Sequence, residues 1–172
     1  VIRIGRARLK SDRRRARLSP KESNSLWPPI IPWMSLVGVA IGALNASSEI
    51  VIRQFFISSG TAGASDLDVV GLISMEPLLR MRQLGDISEV LLLVAVAAAA
   101  SSNWRGRMAV FLWLAGLAGL IRMAVLQVLM QWPSSVGDMD LVWSIPRPFA
   151  FPAGLTIGLA IVSVLIAMVV LR

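Results

Sequence analysis

The chain has 172 residues, of which 56% are hydrophobic and 16% charged, with a formal net charge of +7. A soluble domain carries about 45–50% apolar and about 25% charged residues, so this balance argues against water as the solvent and for a bilayer. With no Cys and no His, thiolate nucleophiles, disulfides, Cys/His zinc sites and imidazole-ligated haem are excluded, and no carboxylate cluster suggests a metal.

Residues 1–29 form a basic tail. Arg3, Arg6, Arg8, Lys10, Arg13, Arg14, Arg15, Arg17 and Lys21 are opposed there only by Asp12 and Glu22. On a soluble protein such a run suggests nucleic acid. Next to a membrane helix it reads as a cytoplasmic tail held near anionic lipid headgroups, at about 1 kcal/mol per basic residue, and no nucleic acid is expected. Arg13, Arg14, Arg15 and Arg17 are its densest stretch and the candidate headgroup or partner contacts. A cleaved signal sequence fits poorly, because Glu49 and Arg53 continue the first apolar block past any signal core. The Arg-rich, acid-poor composition leaves a transit role for the tail open.

The transmembrane domain is expected over 30–172, as an all-α four-helix bundle. The first helix spans about 30–57, with Pro28, Pro29 and Pro32 at its start, where proline is tolerated, and Trp27 and Trp33 at belt level. The small polar run 58–68 reads as a loop. A short interfacial helix is expected at about 74–84, capped by Ser74, with Leu78, Leu79, Met81 and Leu84 on its apolar side. Its Arg80 and Arg82 are candidate membrane-surface or partner contacts. The second helix spans about 85–103; its alanine-rich run, Ala95 to Ala100, makes it thin and the expected centre of the bundle. A turn with Trp104, Arg105 and Arg107 leads to the third helix, about 108–132. A loop over 133–148 carries Asp138, Asp140 and Pro146-Arg147-Pro148. The last helix, about 149–171, has no charged residue.

Orientation follows from the arginines. The tail, Arg105, Arg107 and Arg172 fall on one side; Arg53, Arg80, Arg82 and Arg147 fall on the other with most of the acids. The positive-inside rule puts both ends in the cytoplasm. The expected location is a bacterial cytoplasmic (inner) membrane.

Five polar residues fall at membrane depth and form the candidate site: Asn45, Glu49 and Arg53 on the first helix, Glu89 on the second and Arg122 on the third. Intramembrane charges cost at least about 2.5–3.5 kcal/mol each on insertion scales, so they turn inward and pair. Counted at about 1.5 Å per residue, Glu49, Arg122 and Glu89 all lie roughly 21–27 Å from the cytoplasmic side. The expected network has Arg122 bridging Glu49 and Glu89, with Arg53 reaching the outer interface. Small residues at intervals of four, Gly38, Gly42 and Ala46 on the first helix and Gly154 and Gly158 on the last, are the expected helix-packing faces. Phosphate-binding glycine loops, Ser-His-Asp sets and metal-spaced clusters are absent from the sequence.

In outline, four short helices with a basic N-terminal tail resemble the DoxX-like proteins and the small membrane subunits of tripartite periplasmic transporters. Glu89 opening a helix, then Trp104-Arg105-x-Arg107 before another apolar run, is similar to the middle of a DoxX-type chain. The likeness covers a small part of the sequence, and no function is carried over from it.

The expected function is a non-catalytic subunit of a larger membrane complex, with other membrane protein subunits as partners, since the soluble parts are too small for a domain. The alternatives are a small transporter or membrane enzyme using Glu49, Glu89 and Arg122 on an anionic or protonatable substrate, or a quinone- or lipid-binding accessory protein with Trp113 and Arg122 at its pocket. No resident cofactor is expected beyond such a bound lipid or quinone.

Overall fold

The computed structural model describes residues 27–58, 76–143 and 149–171; Arg13, Arg14, Arg15 and Arg17 of the tail lie outside the described residues. The chain divides into two compact units, Val1–Trp33 and Met34–Arg172. Of the first, the described part is the opening of helix α1 (Trp27–Ser58), where Pro32 is accommodated near the helix start. Of the second, the elements after the body of α1 are α2 (Glu76–Ala100), α3 (Trp104–Met130), an antiparallel strand pair β1 (Met139–Trp143) and β2 (Phe149–Pro152), and α4 (Ala153–Leu171).

All four helices are long and apolar enough to cross a membrane, over Ile31–Gln54, Leu79–Ala100, Trp104–Met130 and Ala153–Leu171. The shortest, at 19 residues, reaches about 28 Å, close to the roughly 30 Å hydrocarbon thickness. The chain therefore has the make-up of a multi-pass membrane protein with a four-helix fold.

Three expectations about the helices change. First, the surface helix at 74–84 and the membrane helix from 85 are one element, α2. Gly85 costs about 1 kcal/mol in a helix interior but does not break it, and Arg82 and Asp86 pair across it at i,i+4 spacing. Second, the centre of the bundle is α3, with 44% of its span buried, against 17% for the alanine-rich α2. Alanine permits close approach but supplies no ridge to interlock, whereas α3 combines small residues (Gly106, Ala109, Gly116, Ala118) with buried Val110, Leu114 and Leu126. Third, the last helix begins at Ala153 rather than 149, because Phe149–Pro152 pairs with β1, with Asp140 opposite Phe151.

The ends of α3 follow local rules. Asn103 caps it, its side chain accepting from Gly106 N at 2.5 Å. At the other end Gln131 adopts a left-handed conformation (φ 55°) and donates to the Gln127 carbonyl at 3.1 Å. That turn carries Trp132 back into a cluster with Ala46, Met123 and Leu126. Below the strand pair, the first N–H groups of α4 are taken up by loop carbonyls, Ala153 N to Asp138 O at 2.7 Å and Gly154 N to Val136 O at 2.9 Å.

The packing faces are partly those expected. On α1, Gly42 allows the closest approach: a Cβ there would sit 2.5 Å from the Ala118 carbonyl oxygen. Gly38 lies against Leu117, and Ala46 is fully buried. On α4 the expected glycines do not make the helix contact. Gly158 faces open space and Gly154 meets loop residue Val136. The buried residues of α4 are instead Ala153, Ala160 and Ala167, spaced by seven, and the middle one, Ala160, lies against Gly116 and Gly119 of α3. A heptad of alanines forms as narrow a seam as a glycine pair, with less conformational entropy to lose.

Candidate functional site

On α1 the buried stripe runs Met34, Gly38, Ile41, Ala46, Glu49, Arg53, so the apolar face of the helix becomes a charged one in its second half. On α2 the order is reversed: Arg82, Asp86 and Glu89 precede Leu93 and Ala97 along the inward face. Antiparallel packing brings the two charged halves to one level, where α3 presents Arg122.

Glu49 is the hub. Its Oε1 accepts from Arg53 Nε at 3.1 Å and Nη2 at 2.7 Å. Its Oε2 accepts from Arg122 Nη1 at 2.5 Å and lies 3.7 Å from Arg82 Nη1. One carboxylate thus meets guanidinium groups from three helices. Arg122 uses its other Nη2 on Asp140 Oδ2. Its planar fork matches two acceptors on different elements, a geometry an ammonium cannot reproduce. Arg53 stacks on the Trp132 ring at 3.7 Å from the centroid, a cation–π contact shielded from solvent. It is buried, not extended toward an outer interface.

The expected bridge is therefore corrected in one partner. Arg122 joins Glu49 to Asp140, not to Glu89. Asp140 is completely buried on β1, and its Oδ1 has no hydrogen-bond partner among the described residues. Burial pushes its carboxyl above the usual range, and the Arg122 guanidinium pulls it back without cancelling that. Arg82 is corrected as well. Its side chain is 13% exposed and reaches Glu49 and Asp86 Oδ1, the latter at 3.2 Å. Arg80, by contrast, is exposed and pairs with Glu76 on its own helix. Trp132, Asp86 and Asp140 are network members that the sequence pattern did not single out.

Glu89 occupies a different place. It is half-buried beside Asn45, within hydrogen-bond reach of its side chain. Among the described residues no guanidinium lies within ion-pair distance of it. It lines a cavity of about 210 Å³ to which all four helices contribute: Asn45 from α1, Arg82 and Glu89 from α2, Gly116 and Arg122 from α3, Thr156 and Ser163 from α4. Among the described residues the buried Thr156 hydroxyl has no hydrogen-bond partner, while Ser163 bonds back to the Leu159 carbonyl at 2.8 Å. Trp113 is not in this wall; its Nε1 donates to Ser35 Oγ at 3.2 Å. No group of His, Cys, Asp and Glu suited to a metal ion occurs among the described residues.

Outside the helices, Asp138 organises the turn before β1. It accepts from the backbone N–H and hydroxyl of both Ser134 and Ser135 at 2.6–3.2 Å. Those bonds hold its carboxyl down at about 2.

Compared with known protein families, curated proteins and solved structures, the chain shows no match.

Proposed function

We propose that the chain is a small multi-pass transporter whose solute site is the polar cavity between its four helices. The observation that supports this is that each helix supplies at least one polar side chain to a single space, and one of them, Glu89, is an ionisable group outside the ion-pair network. A network serving only helix register needs neither a cavity nor a spare carboxyl. The volume of about 210 Å³ lies below the roughly 300–1,000 Å³ of pockets for drug-sized ligands, which favours a small solute over a quinone or lipid tail. Both ends of the chain lie in the cytoplasm in this proposal, with the membrane a bacterial inner one, on the loop arginine bias.

The test uses the absence of cysteine. Ser163→Cys places one thiol at the cavity wall. A charged, water-soluble thiol reagent is expected to label it in sealed proteoliposomes, and a wild-type proteoliposome under an imposed potential is expected to conduct protons or a small solute faster than a protein-free vesicle. No labelling and no flux, together with a second chain recovered in equal amount in mild detergent, sinks the transporter reading and leaves the subunit role.

A further inference from the structure

The buried polar cluster does not balance. Among the described residues its cations are Arg53, Arg82 and Arg122 and its carboxyls are Glu49, Asp86, Asp140 and Glu89. Three positive charges face four acids, so with every group ionised the cluster carries one net negative charge at membrane depth. A lone charge there costs several kcal/mol, and the cheapest relief is to bind one positive charge.

Which acid takes it follows from geometry. Glu49 is bonded to Arg53 and Arg122, Asp140 to Arg122, and Asp86 lies 3.2 Å from Arg82. Each would have to give up an ion pair to be neutralised. Glu89 has an amide, Asn45, as its near partner and no guanidinium at bonding distance among the described residues. The groups that face it are Asn45 and Glu49 from α1, Arg82 and Asp86 from its own helix, Arg122 from α3, and from α4 only the hydroxyls of Thr156 and Ser163. It also lines the cavity, so a proton held in that space reaches it directly.

We infer that Glu89 is a proton-binding site on the cavity wall, occupied at neutral pH, taking its proton from water in the cavity and returning it there. Glu89 as a carboxylic acid donates one hydrogen bond and leaves the cluster neutral; releasing the proton restores the single negative charge and with it an attraction for a small cation in the cavity. The inference rests on the transporter reading for its use as a coupling site, and on the charge count and the placement of Glu89 for its existence.

Infrared difference spectroscopy on the full chain in lipid decides it. The wild type at neutral pH is expected to show the C=O stretch of a protonated carboxyl, shifted on exchange into D2O. The band is expected to vanish in Glu89→Gln and to move in Glu89→Asp, which keeps the carboxyl should the glutamine variant fail to accumulate. Because glutamine is a neutral near-isostere of the protonated acid, Glu89→Gln is expected to unfold at the wild-type temperature. Absence of the band in wild type overturns the proposal, as does a band indifferent to both Glu89 substitutions or one lost only in Asp140→Asn. The flux assay separates the two readings. A Glu89 band without flux removes the transporter and keeps the proton site; flux without the band removes the proton site alone.

Discussion

Replacing Arg122 by leucine is the most direct probe of what holds the helices in register. The guanidinium bonds Glu49 of α1 and Asp140 of β1 from a position on α3. Its loss does not affect the two carboxylates equally. Glu49 keeps Arg53 at 2.7 Å and Arg82 at 3.7 Å. Asp140, with no exposure at all, loses the one cation that pairs with it among the described residues, and the cluster, neutral with Glu89 protonated, gains a surplus negative charge. Breaking a buried pair from one side costs about 3–5 kcal/mol. In lipid the unfolded helices still find polar partners, so the low end, about 3 kcal/mol, is expected. The double variant Arg122→Leu/Asp140→Leu removes both charges, together with the orphan Oδ1 of Asp140, and returns the cluster to its original balance. It is expected to recover most of the loss, giving a coupling of about 2 kcal/mol or more in a double-mutant cycle. Reversible unfolding in mixed micelles, followed by helical circular dichroism, measures all four proteins. If Arg122→Leu stays within about 1 kcal/mol of the parent, or if the two substitutions simply add, the bridge is not a structural element and the reasoning fails.

The helix seams give a second contrast. Gly42→Val is expected to destabilise by about 1–3 kcal/mol, since even a Cβ would stand 2.5 Å from the Ala118 carbonyl and 2.8 Å from Ile121 Cβ; Gly158→Ala, with nothing within 4 Å, is expected to stabilise by up to about 1 kcal/mol, since alanine favours a helix interior over glycine, and equal melting temperatures for the two would refute the seam. Trp132→Leu is expected to fall about 1 kcal/mol below Trp132→Phe, because phenylalanine keeps a ring face under Arg53; identical unfolding curves would show that stacking contributes nothing. The turn at Asp138 titrates in a defined direction. A carboxyl held down at about 2 from 3.8 favours the folded turn above the unfolded value and loses that contribution as pH falls through about 2. An NMR titration of the Asp138 carboxyl carbon with a midpoint near 3.8 would show that the serine bonds do not form in solution.

The four apolar stretches, their order and the common level of Glu49, Glu89 and Arg122 are legible in the sequence because each depends on composition and spacing over many residues. Where the pattern misled, a single residue had been given too much weight. Reading Gly85 as a boundary split α2 and left Arg82 on a surface helix, apart from Asp86 and Glu89 in the first turns of the membrane helix that followed. Read as one helix, positions 82, 86 and 89 fall on the stripe that continues to Leu93 and Ala97, and the inward turn of Arg82 follows. Asp140 is harder. Its role depends on a strand pair folding back to meet Arg122, an 18-residue return, and no local periodicity encodes it. The Gly154 and Gly158 spacing is a real small-residue pattern, yet Ala153, Ala160 and Ala167 make the buried seam, because which small face is chosen depends on where Gly116 stands on the neighbouring helix.

Specificity of fold and capacity for function draw on different parts of one polar cluster. Glu49, with cations from α1, α2 and α3, is saturated, and Asp140 ties β1 to α3 through its pair with Arg122; movement of either carboxylate breaks a buried ion pair. A group so constrained makes a poor shuttle, since releasing or taking up charge would cost the fold about as much as breaking an ion pair. Glu89 carries no such obligation. It stands one helical turn from Asp86 and beside the cavity, close enough to feel the charges of Arg82 and Arg122 and far enough to change its own without dismantling their pairs. On this argument Glu49→Gln should impair accumulation of the folded protein, while Glu89→Gln should leave the fold intact and alter only what the cavity binds. The reverse result, a tolerant Glu49 and an indispensable Glu89, would mean that the roles assigned to the two carboxyls must be exchanged.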